Sequence, residues 1–87
     1  MPDLNGLVGR RVAVVWSDKE DKEVVLNWYF GKVTNVTGRK YNTGGVVVKC
    51  TAAIKWETGG TTTPQELSED AYAGADNTLG VNSWMQA

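Results

Sequence analysis

The chain contains no histidine, a single cysteine and only two prolines in 87 residues. Each shortage removes a class of chemistry. Without histidine, the most frequent general base and a common zinc ligand are both missing. Cys50 has no second thiol to pair with, so an intramolecular disulfide and a Cys/His zinc site within one chain are excluded. No apolar run reaches the roughly 20 residues that span a bilayer. The first residues, MPDLNG, lack the basic and apolar regions of a signal peptide. Charge of one sign is scarce too: nine basic and ten acidic residues leave a net charge of −1. Proteins that bind nucleic acid usually carry a positive excess, because affinity comes largely from displacing phosphate counterions. Here a local patch from Arg10, Arg11, Lys32, Arg39 and Lys40 is thin, and charge does not favour that partner. Gly44-Gly45 and Gly59-Gly60 each lack the helix and lysine of a phosphate loop. Asn35-Val36-Thr37 matches a glycosylation sequon, a tripeptide common by chance. These absences predict a soluble, intracellular, non-enzymatic domain with no cofactor, no metal and no membrane association.

What the chain does have is tryptophan, four in this short length, each able to bury ~150–250 Å². It also has β-like alternation. Val8, Val12, Val14 and Trp16 share one parity, which predicts a first strand over Val8–Trp16 with one face buried. Ser17–Lys22 (SDKEDK) reads as a solvated loop, and Glu23–Asn27 either extends it or forms a short hairpin arm, the loop being favoured. Trp28–Val36 (WYFGKVTNV) is a second strand rich in aromatic and β-branched residues. Its mixed parity predicts a bulge near Gly31. Thr37–Gly45 is a turn with its tip at Asn42–Gly45. Val46–Trp56 is a third strand, with Val46, Val48, Cys50, Ala52, Ile54 and Trp56 on one face. Cys50 there is a small core residue. After the ETGG turn, Thr61–Leu67 is a fourth strand placed at an edge by Pro64. Ser68 caps one helical or 3₁₀ turn in Ser68–Tyr72. Residues 73–82 read as loop, and Ser83–Met85 as a short last strand with Trp84 packing back. The whole is one domain over 1–87, with its core in 7–72 and a tail or fifth strand in 73–87: an all-β, strongly bent antiparallel barrel of about five strands.

The aromatics Trp16, Trp28, Tyr29, Phe30 and Trp56 sit at or beside strand ends, so a small barrel would gather them at one rim. Rings gathered there can box a cation. Asp18, Glu20 and Glu57 are the nearby carboxylates. The same rings can instead be core, since Trp16 and Trp56 share parity with Val14 and Ile54, or they can line another kind of groove.

The segment from Leu7 to Leu67, with its SEDAY continuation, resembles a Tudor-like domain of the SH3-like barrel type. The residues that carry the resemblance are VGRRVAVVW at Val8–Trp16, WYFGKVTNV at Trp28–Val36, and AIKWETGG at Ala53–Gly60 followed by PQELSED. The Trp28–Val33 stretch is also similar to plant Agenet modules. The resemblance implies a five-stranded barrel with an aromatic cage at one end. By position, Trp16, Tyr29 (or Trp28) and Trp56 are its cage walls. Where a fourth aromatic and a polar reader of the cation would stand, this chain has Gly59, Gly60 and Thr61. The implied ligand is a methylated lysine or arginine on a protein tail peptide, with Trp16, Trp28, Tyr29, Trp56, Glu57 and Thr61 as binding residues and a nuclear location for a chromatin reader. Two other readings remain. One is a nucleic-acid-binding barrel using Arg10, Arg11, Arg39, Lys40, Lys49 and Lys55 with stacking aromatics. The other is an assembly module, monomer or weak homodimer, whose edge strands and Thr61–Thr63 stretch pair with a partner strand.

Overall fold

The alternation of Val12, Val14 and Trp16 with Arg11, Ala13 and Val15 builds β1, Arg11–Glu20. A computed structural model describes residues 4–73 and 80–87, and of Glu20 the backbone alone. β1 turns at Asp21-Lys22 into β2, Glu23–Tyr41, followed by β3, Val47–Trp56, β4, Thr62–Ser68, a 3₁₀ turn at Glu69–Ala71 and β5, Trp84–Gln86. The strands form one antiparallel sheet in the order β4-β3-β2-β1-β5. All-β architecture, strand number and the 3₁₀ turn agree with the expectation. So do the edge position of β4 with its Pro64 and the Ser68 cap, whose hydroxyl accepts from the Ala71 N–H at 3.3 Å.

The two sheet edges approach each other around Trp84. Tyr72 and Trp84 form an isolated parallel bridge, and the Ala73 N–H donates to the Trp84 carbonyl at 2.9 Å. The Trp84 indole N–H donates to the Ser68 carbonyl at 2.7 Å. Its ring, 0% exposed, lies 5.1 Å from the Tyr72 ring. Trp84 thus packs back as expected. Around it the core gathers Leu4, Leu7, Val12, Val14, Val33, Val36, Val47, Cys50, Ala52, Ile54, Trp56 and Leu67. Burial of Cys50 raises its thiol pKa above the usual range.

Four boundary expectations are corrected. First, SDKEDK is not a loop. β1 runs on through Ser17–Glu20, paired with Glu23–Leu26, and the reversal needs only Asp21 and Lys22, both at positive φ (47° and 71°). A two-residue hairpin with both central residues left-handed matches the right-handed strand twist, so Glu23–Asn27 is the hairpin arm. Second, Gly31 lies in unbroken register with both neighbours, opposite Val12 and Trp56. The register shift falls between Val33 and Asn35, and this moves the inward parity from Val33 to Val36. Gly31 serves close approach instead: a Cβ there would stand 2.5 Å from Ile54 Cγ2 and 2.8 Å from the Lys55 carbonyl oxygen. Third, Thr37–Tyr41 continues β2, with further register shifts around Gly38 and Lys40, leaving only the Asn42–Gly45 tip as turn. Those shifts also put Val47 in the core and leave Val46 exposed, against the parity read for the third strand. Fourth, Val8 precedes β1 and is exposed. The loop expected over 73–82 falls mostly on residues 74–79, outside the described residues. Among the described residues no helix is long and apolar enough to cross a membrane.

Candidate functional site

Antiparallel register decides which aromatics meet. Trp16 lies opposite Asn27, Val14 opposite Tyr29, and Gly31 opposite both Val12 and Trp56. Trp16, Tyr29 and Trp56 therefore project to the face that carries Val12 and Val14. Gly31, lacking a side chain, leaves room between them. The ring centroids of Trp16 and Tyr29 are 5.1 Å apart at 37°, and those of Trp16 and Trp56 are 4.5 Å apart at 59°. The rings make a tilted, contiguous cluster with Trp16 in the middle. Trp56, 5% exposed, is its floor; Trp16 and Tyr29 are half-buried.

Polar groups fix the ring orientations. The Trp16 indole N–H donates to Gln65 Oε1 at 3.0 Å, and the Trp56 N–H to Thr63 Oγ1 at 2.7 Å. Gln65 is 8% exposed and in turn donates to Asn82 Oδ1 and the Glu66 carbonyl, each at 3.1 Å. At the open side stands Asp18, two residues beyond Trp16 on the same face. Its Oδ2 accepts from the Tyr29 hydroxyl and, at 2.9 Å, from Asn27 Nδ2. The Tyr29 and Asn27 hydrogen bonds stabilise the carboxylate and lower the Asp18 pKa below the usual aspartate value. A carboxylate favoured in its charged form thus borders two partly exposed rings.

Three of the residues expected at the site lie elsewhere. Trp28 pairs with Val15 and projects to the opposite face of the sheet. Glu57, one residue past Trp56, also turns to that face, where it accepts from Arg11 through Nε at 2.7 Å and Nη2 at 3.0 Å. That pairing lowers the Glu57 pKa and raises that of Arg11, while the guanidinium sits 4.4 Å from the Phe30 ring centroid. Thr61 is exposed and contributes its carbonyl to the hairpin, accepting from the Trp56 main-chain N–H at 2.9 Å. The residues that sequence reasoning missed are Asn27, Thr63 and Gln65. The signal for Gln65 was its parity with Leu67 on β4, which turns a polar side chain inward. Among the expected basic residues, Arg11 is tied to Glu57 and Lys49 to Glu66 at 3.1 Å. Lys32 lies opposite both Arg11 and Lys55, a cross-strand row of cations on the outer face.

No family model, curated protein or solved structure matches this chain.

Proposed function

We propose that this domain is a binding module for an organic cation, a methylated lysine or arginine side chain on a protein tail peptide, received on the Trp16 and Tyr29 faces beside Asp18. The observation that carries this reading is the pairing of two partly exposed rings with a carboxylate whose charged form is favoured by Tyr29 and Asn27. A methylated ammonium or guanidinium keeps its charge while losing hydrogen-bond donors and hydration. It gains from ring quadrupoles up to ~2 kcal/mol per desolvated contact, and from the Coulomb attraction of a fixed anion. Two accessible walls rather than a closed box make the site shallow, with a Kd of tens to hundreds of micromolar as the order of magnitude, about 5–7 kcal/mol. The resemblance to Tudor-like domains points to the same ligand class.

The test is a heteronuclear NMR titration with mono-, di- and trimethyl-lysine and dimethyl-arginine peptides at two salt concentrations. The indole signals of Trp16 and Trp56 are expected to shift saturably with methylation. Trp28, on the opposite face, is the internal control and stays still. Asp18→Asn is expected to weaken the response several-fold. No methyl-dependent shift at millimolar peptide would reduce the cluster to packing. A salt-sensitive response to an oligonucleotide, centred on Lys32 and Lys55, would instead favour the nucleic-acid reading.

A further inference from the structure

The hairpin of β1 and β2 runs past the rest of the sheet. β3 pairs with β2 only from Gly31 onward, the last bond on that side being from the Glu57 N–H to the Phe30 carbonyl. Along Val24–Trp28, β2 has β1 on one side and no described strand on the other. The alternation of the antiparallel ladder turns the N–H and C=O groups of Val24, Leu26 and Trp28 toward that open side. Two of those residues are also among the most exposed large apolar side chains of the molecule, Val24 at 71% and Leu26 at 44%.

An open edge is a pairing template unless something blunts it. The other described edges are blunted: β2 past Val33, which has no described strand on its β1 side, is bent by register shifts and carries Arg39 and Lys40. β4 contains Pro64, which has no N–H to offer. β5 is three residues long. The open part of β1 carries Asp18 and Lys19, and pairing it with its own copy sets Asp18 against Asp18 or Lys19 against Lys19, like charges whose direct opposition is unfavourable. The β2 edge from Val24 to Trp28 has no charge and no proline.

We propose that this edge is a homodimer interface, in which β2 of one copy pairs antiparallel with β2 of a second copy about a two-fold axis at Val25. The open edge is self-complementary in one register. Val24 of each copy lies opposite Leu26 of the other, and both exchange main-chain hydrogen bonds. Their side chains meet on the outer face beside Trp28, Glu23 faces Asn27, and no like charges oppose. The register is set by the end of β3: sliding the second copy two residues further would put its Lys22 turn opposite Phe30, whose open side Glu57 already occupies. The result is a sheet continuous across both copies, an isologous contact of the strand-addition type. Val24 and Leu26 meet on the face opposite Trp16 and Tyr29, while Val25 and Asn27 lie on the ring face beside Asp18; association is read without any ligand, so its test is separate from that of the proposed function.

Sedimentation equilibrium of the full chain over a wide concentration range is the test, with three variants. The wild type is expected to dimerise reversibly. Leu26→Lys places a charge twice in a symmetric interface and is expected to raise the dimer dissociation constant roughly tenfold or more, while its near-ultraviolet circular dichroism stays that of the wild type. Val25→Cys places two thiols across the axis in a non-hydrogen-bonded pair with Cα atoms about 4.5 Å apart, within disulfide reach, and is expected to cross-link on mild oxidation. Lys19→Cys on the charged edge is expected not to, and buried Cys50 leaves the wild type uncross-linked. A wild type that stays monomeric at about 1 mM, or a dimer that Leu26→Lys leaves intact, overturns the proposal; so does a folded Val25→Cys variant that fails to cross-link.

Discussion

Asp18 shows how much a single side chain can depend on the register that delivers its neighbours. Its carboxylate is held by the Tyr29 hydroxyl and the Asn27 amide, both from the facing strand. These bonds favour the charged form, so the folded-state pKa lies below the unfolded value. The unfolded chain therefore binds more protons than the folded one between the two values, and stability rises with pH across that window. The contribution is complete above the unfolded aspartate pKa and is lost as pH falls through the folded one. Acid titrations of the wild type and Asp18→Asn, followed by tryptophan fluorescence, are expected to differ there. The variant should be less stable than the wild type at neutral pH, where the Asp18 contribution is complete, and should lose less stability on acidification, so that the two curves converge as pH falls through the folded-state Asp18 pKa. Identical acid limbs would mean that the Asp18 hydrogen bonds are not maintained in solution.

At the scale of elements, Gly31 is where β2 lets β3 come close enough to place Trp56 under Trp16. The space a Cβ would need is taken by Ile54 Cγ2 and the Lys55 carbonyl, and the backbone oxygen cannot swing away as a side-chain end could. Gly31→Ala is expected to cost about 1–3 kcal/mol, the usual range for overpacking, and to move the Trp16 and Trp56 indole resonances. Urea denaturation with the same spectra checks both; a change below about 0.5 kcal/mol would show that the strands part without strain. This glycine was visible in the sequence as an interruption, but its purpose was not, because a bulge and a close approach leave the same mark. The hairpin arm was misread for a related reason. Charge in SDKEDK signals exposure, and a two-stranded ribbon with both faces near solvent is exposed while still fully paired to its neighbour. By contrast, strand number, the edge position of β4, the buried parity of Cys50, Ala52, Ile54 and Trp56, and the Ser68 cap were all legible, since each rests on local pattern. The Trp16–Tyr29–Trp56 grouping was expected from the resemblance, by position and with Trp28 as the alternative to Tyr29; in the structure it is strand register that brings these three rings together. The placement of Glu57 and Trp28 on the other face was the same parity rule, overridden in the sequence reading by nearness along the chain.

For the whole molecule, the question is what joins the two ends of the sheet, β4 and β5, which share no ladder. Trp84 is the main tie among the described residues. It pairs with Val14 on one side, bridges Tyr72 on the other, donates its indole N–H to the Ser68 carbonyl, and fills the core with a fully buried ring. A domain of this size has roughly 4–13 kcal/mol of stability in all, at about 0.05–0.15 kcal/mol per residue. Truncating a buried tryptophan to alanine typically removes ~3–5 kcal/mol, a large share of that total. Trp84→Ala is therefore expected to unfold the chain or leave it marginal at 25 °C. Trp84→Phe keeps most of the packing and gives up the Ser68 hydrogen bond, leaving that carbonyl without its indole donor, and is expected to cost about 1–3 kcal/mol. Chemical denaturation of both variants, with amide hydrogen exchange along β1, separates the two contributions. Exchange at Val12 and Val14 should accelerate in step with the global loss if Trp84 holds the sheet ends together as one cooperative unit. If Trp84→Ala instead unfolds within about 1 kcal/mol of the wild type, β5 is an appendage and the four-stranded sheet is the stable body.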